Sequence, residues 1–67
     1  MDYYIISAGL AERLNLTKFR NGNKEKGYLV NGSDLSTLGV ATAIRLGAKY
    51  ISSWEADKFV EEVNNRK

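Results

Sequence analysis

The sequence predicts a small α+β domain with three helices, the central one buried over about residues 34–46, and a small two- to three-stranded sheet. Three observations carry that expectation. Tyr3-Tyr4-Ile5-Ile6 is a β-branched and aromatic run with the composition of a strand. From Leu35 to Ala48 the only charged residue is Arg45, so a helix drawn there lacks the polar face of a surface helix and should be covered on more than one side. Ser52 stands three residues before Glu55 and ahead of Ala56, Phe59, Val60 and Val63, which is a capping box opening an amphipathic helix. The 67 residues read as a single domain over 1–67, without a linker. A core of this size sits near the lower limit for independent folding, so dimerisation is open from the start.

In chain order, Tyr3 to Ile6 is the first strand. Ser7 then caps a short helix in which Leu10, Ala11 and Leu14 share a face and Glu12 and Arg13 point to water. Gly9 weakens this helix and Asn15 can stop it, which limits it to two turns. Leu16 to Arg20 can extend as a second strand. Asn21-Gly22 is a strong turn signal, closing a tight hairpin or starting a longer loop through Lys24, Glu25, Lys26 and Gly27. Tyr28-Leu29-Val30 reads as a third strand, ended by Asn31-Gly32. Ser33 can cap the central helix, Asp34 puts a carboxylate in its first turn, and Gly47 can end it in the left-handed conformation. Lys49-Tyr50-Ile51 is either a last strand or an extended connection. The final helix covers about residues 53–64, with Ile51 packing on Ala56 as a hydrophobic staple.

Ile6-Ser7 followed by Ala11 and Leu14 recurs at a constant offset as Ile51-Ser52 followed by Ala56 and Phe59. Two related strand-cap-helix units would give this echo. So would the common requirement of any short strand that enters an amphipathic helix, which is the weightier explanation.

Composition narrows the function. There is no cysteine, so disulfides and thiolate metal sites are excluded and no oxidising compartment is needed. There is no histidine either, which removes the commonest general base and the commonest zinc ligand. With no nucleophile arrangement among the Ser, Tyr and Lys residues, the chain reads as a non-enzyme without a cofactor. Glu55, Asp57, Glu61 and Glu62 cluster on the last helix, but Lys58 among them makes the group a solvated face rather than a metal site. No apolar run reaches the roughly 18 residues of a membrane span, and the first residues lack the pattern of a signal peptide, so a soluble, cytoplasmic chain is expected.

Charge is uneven. Between Arg13 and Tyr28 there are five cations, Arg13, Lys18, Arg20, Lys24 and Lys26, against Glu25 alone, a net of plus four that leaves minus two for the rest. With Phe19 and Tyr28 beside it, this segment has the makings of a phosphate-binding footprint with aromatic contacts, and DNA or RNA is the partner it suggests. The same lysines would serve equally to keep a strand edge soluble. The alternative function is a protein-interaction or homodimerisation module whose exposed aromatics, chiefly Trp54 with Tyr3 or Tyr4, meet a partner. An exposed Trp54 would favour that alternative.

A short helix, a basic hairpin, then Gly27-Tyr28 leading through Asp34-Leu35 and Leu38 to an apolar helix ending at Gly47 resembles in part the winged helix-turn-helix of MerR-type regulators. In that family the wing strand carries a Gly-Tyr pair and the next helix opens near an Asp-Leu. The likeness covers about half the chain. It departs from the family after Asn15, where the segment is too short for a recognition helix, and by a one-residue offset of the central helix.

Overall fold

The computed structural model describes residues 2–18 and 21–65. The expected α+β architecture is present, and its sheet is larger than expected. Strands β1 (Tyr3–Ile6), β2 (Gly22–Asn23), β3 (Gly27–Asn31) and β4 (Lys49–Ile51) form one antiparallel sheet in the order β2-β3-β1-β4. Lys49–Ile51 is a strand rather than an extended connection, pairing with β1 through Tyr3 opposite Ile51, Tyr4 opposite Tyr50 and Ile5 opposite Lys49, and the strand that was not expected is the two-residue β2. β1 is therefore central, and β4 is an outer edge.

Because side chains alternate along a strand, this register assigns the faces. Tyr4, Ile6, Val30, Tyr28 and Tyr50 lie on one face. Against it pack α1 (Ala8–Arg13), a 3-10 turn (Gly32–Leu35) and α2 (Val40–Arg45), through Leu10, Ala11, Leu35, Ala43 and Ala48. Ile5, Leu29, Lys49 and Ile51 lie on the other face, toward α3 (Ser53–Asn65). α3 buries Ala56, half-buries Phe59, Val60 and Val63, and reaches β2 and β3. The two echoing strand-cap-helix segments thus send their helices to opposite faces of the sheet.

The helix ends follow from local chemistry. Ser7 accepts a hydrogen bond from the Leu10 amide at 3.2 Å, and α1 is the short helix that Gly9 and Asn15 imply. Asn15 adopts φ 58°, which lets the Leu16 amide reach the Ala11 carbonyl at 2.8 Å and the Asn15 amide reach Glu12 at 3.1 Å, a Schellman closure. The same device ends α2: Gly47 has φ 110°, Gly47 donates to Ile44 at 3.0 Å and Ala48 to Ala43 at 2.9 Å. For α3, the Glu55 amide donates to Ser52 Oγ at 3.2 Å while the Ser52 amide donates to Glu55 Oε1 at 3.2 Å, so the capping box forms as expected.

The central helix does not form as one piece. Asn31, rather than Ser33, is the cap: its Oδ1 accepts from the Asp34 amide at 3.0 Å, and its own amide donates to Asp34 Oδ2 at 3.0 Å. That opens only the 3-10 turn, closed by Ser36 donating to the Ser33 carbonyl at 3.3 Å. Gly39 then takes φ 95° and redirects the chain into the six-residue α2. A glycine in that conformation cannot continue a helix, and its missing side chain is what permits the break. Nor is the segment buried throughout. Leu35 and Ala43 are inside, whereas Ile44 and Leu46 are exposed.

Two further expectations change. Residues 16–18 are not a strand, because the Asn15 closure folds Leu16 back against the core, and Phe19 and Arg20 lie outside the described residues, as do Arg66 and Lys67. Asn21-Gly22 is not the hairpin turn. Gly22 and Asn23 are already paired to Tyr28 and Gly27, and the turn is Lys24-Glu25-Lys26, organised by Asn23 Oδ1, which accepts from the Glu25 and Lys26 amides at 2.9 and 2.7 Å. Gly27, at φ 92°, brings the hairpin against β1 so closely that a Cβ there would strike the carbonyl oxygen of Ile6.

Leu35 is the largest apolar side chain of the 31–48 segment that is fully buried. Leu35→Ala should cost about 2–5 kcal/mol in a denaturant melt, and half-buried Leu38→Ala about 1–2 kcal/mol. Equal costs would mean the two leucines are covered alike, as in a continuous central helix. Ser52→Ala should lower stability by about 1 kcal/mol and Ser53→Ala by much less, since only Ser52 bonds Glu55. The reverse order would move the helix start.

Candidate interaction surface

Two surface features adjoin β4. The first is apolar. Among the described residues the exposed large hydrophobic side chains are Ile44 at 50%, Leu46 at 48%, Tyr50 at 59% and Trp54 at 67%. All four fall between the last turn of α2 and the first turn of α3, two before the free edge strand in the chain, one within it and one after it. Tyr50 meets Tyr4 edge-to-face, with ring centroids 5.5 Å apart, and nothing stands on its other side in the sheet because β4 is last. Trp54 carries the ammonium of Lys58 over its ring at 5.1 Å.

The second feature is an open groove of about 470 Å³ between α3 and the sheet. Ile5, Ile51 and Phe59 line it with Trp54, and Lys26, Lys49 and Lys58 stand around it. It adjoins a smaller hollow at the hairpin that shares Ile5, Lys26 and Lys49 and adds Lys24. Lys26 Nζ is held by Glu62 Oε1 at 3.3 Å, an exposed pair that ties the hairpin to α3 and contributes little stability. The Lys49 ammonium has no hydrogen-bond or ion-pair partner among the described residues. Glu25, Glu55 and Glu62 line these same two hollows, so the lysines bring only a small excess of positive charge.

The residues singled out by sequence are dispersed. Arg13 ends α1 and Lys18 follows in a bend, both exposed, and Lys24 and Lys26 lie in the hairpin turn. Phe19 and Arg20 lie outside the described residues. Tyr28 packs against the core beside Ile6 and does not stand free as a stacking platform. On the other list, Trp54 is exposed as an interface residue should be, and Tyr3 is half-buried. Tyr4 is corrected: at 6% exposure it belongs to the core, because the pairing of β1 turns it toward Leu35 and the helices. Sequence reasoning missed Ile44, Leu46 and Tyr50, since an uninterrupted apolar helix would have buried the first two. It also missed Lys49 and Lys58, which reach the groove from elements outside the basic segment.

Among the described residues no group of three or more metal-ligating side chains converges, and no helix is long and apolar enough to cross a membrane. The chain matches no protein-family model, no curated protein and no solved structure. The partial likeness to a winged helix-turn-helix has no counterpart at its decisive point, because residues 16–18 form no recognition helix.

Proposed function

We propose that this chain is a non-enzymatic protein-interaction module that docks a polypeptide against the β4 edge. The observation that carries this reading is an inverted burial pattern. Ala43 and Ala48 point into the core, while the larger Ile44, Leu46, Tyr50 and Trp54 face outward. Burying a leucine- or isoleucine-sized side chain is worth roughly 1.5–3 kcal/mol more than leaving it in water, so a fold that spends its inward positions on alanine and leaves these outside forgoes that gain unless something covers them. A strand edge between them offers unpaired backbone donors and acceptors, which is the arrangement that accepts an added strand. Trp and Tyr are also the residues most often found at the energetic centre of protein interfaces.

Selection of a random-peptide library against the folded chain tests this. Binders should shift the backbone amide signals of residues 44–54, and Tyr50→Asp should abolish their binding in a chain that remains folded, its melt lowered only by the loss of the Tyr4 contact. Binders that map to the helix α1 side, or that survive Tyr50→Asp, would contradict it.

A second reading is favoured by one observation, the convergence of Lys26, Lys49 and Lys58 around a groove rimmed by exposed Trp54, with Lys24 in the adjoining hollow. Cations along a groove with an aromatic face are how single-stranded nucleic acid is held without sequence preference. Replacing the four lysines with Gln should then reduce the logarithmic salt slope of binding to a single-stranded oligonucleotide by roughly three. An unchanged slope, or no binding by the unaltered chain at low salt, leaves the lysines a solubilising role.

A further inference from the structure

Resting on the docking reading above, we infer that the partner at this edge is a second copy of the chain, joined by antiparallel self-pairing of β4 about Tyr50. An isologous contact requires that every residue find its mate under a two-fold rotation. A three-residue edge strand centred on Tyr50 meets that condition: Tyr50 faces Tyr50 of the second copy, and Lys49 faces its Ile51. Backbone groups point alternately to the two sides of an antiparallel strand, so those of β4 not used by β1 are available outward. Self-pairing forms reciprocal hydrogen bonds whichever of its residues present them. The result is one continuous eight-stranded sheet, built from the four strands of each copy.

Side chains agree on both faces. On the helix-covered face the edge-to-face pair of Tyr4 and Tyr50 extends into a ladder of four tyrosines across the axis. On the α3 face, Lys49 of each copy lies opposite Ile51 of the other, whose chain runs directly into Ser52, Trp54 and Glu55. A lysine pointing from an edge strand ordinarily discourages pairing. Here the cation, unpartnered among the described residues of its own chain, is delivered to the carboxylate and indole at the start of the other copy's α3. The charges are complementary, and the contact occurs twice. By contrast, the opposite edge offers only the two residues of β2.

The absence of cysteine makes the register directly readable. Residues directly opposite in an antiparallel pair have Cα atoms about 4.5–5.5 Å apart, within the roughly 4.4–6.8 Å that a disulfide spans. In Tyr50→Cys, two copies aligned about position 50 should form a homodisulfide on mild oxidation on the order of a hundredfold faster than Ser36→Cys, an exposed site away from the edge, because self-pairing raises the local thiol concentration to the millimolar range. Sedimentation of the unaltered chain from micromolar to millimolar concentration should show the mass rising from 7.5 kDa to twice that value, and Tyr50→Asp should hold it at the lower value while the chain stays folded. A chain that stays monomeric throughout overturns the inference, and so does a dimer in which Tyr50→Cys and Ser36→Cys oxidise alike. Peptide selection against the edge separates the two failures: a monomer whose edge still captures peptides keeps the docking reading and loses only the second copy, whereas a monomer whose edge captures none loses both.

Discussion

The structure depends on a single strand that is asked to bury both of its faces. β1 sends Tyr4 and Ile6 into the layer formed by α1, the 3-10 turn and α2, and Ile5 toward α3. Its two neighbours are fixed residue by residue, β3 on one side and β4 on the other. A slip of one residue would exchange the faces, sending Ile5 into the crowded layer and Ile6 toward the open groove, so the two unequal layers together hold the register. The near approach of Gly27 to the Ile6 carbonyl adds a steric pin, since only glycine lets β3 come that close.

Much of this arrangement was legible, and what was legible was local. Ser7, Asn15, Gly47, Ser52 and Glu55 each act within a few residues of themselves, so their roles as caps and stops survive transfer from sequence to structure. The 34–46 helix failed for the opposite reason. Its lack of charge suggested burial on several sides, but that reasoning passed over Gly39, which serves as the hinge between two short elements. The pairing of Lys49–Ile51 with a strand more than forty residues earlier carries no local signal, which is why the fourth strand stayed an open choice. Burial of Tyr4 follows from that same long-range pairing.

The candidate surface was legible only in part, for a related reason. Trp54 could be placed off the apolar stripe of its own helix, and it is exposed. Lys26 does reach the groove and Lys24 the hollow beside it, but Lys49 and Lys58 complete the groove from β4 and α3, and Glu25, Glu55 and Glu62 offset most of the charge. A charge count along the chain therefore overstated the basic character of the segment. What decides the reading instead is which side of α2 and β4 faces the core, and that depends on how the alanines dock. Ala43, Ala48 and Ala56 let their elements approach the sheet closely, and the large residues beside them are left to the surface.

The central claim is that β1, and not a helix over 34–46, organises the domain. Native-state amide exchange, read residue by residue, tests it most directly, because the slowest amides report the last structure to open. The expected result is that β1 and the β3 residues paired to it exchange slowest, while residues 36–46 exchange faster, α2 being short and open on its outer side. Protection greatest and uniform across 34–46, with β1 exchanging early, would contradict the account.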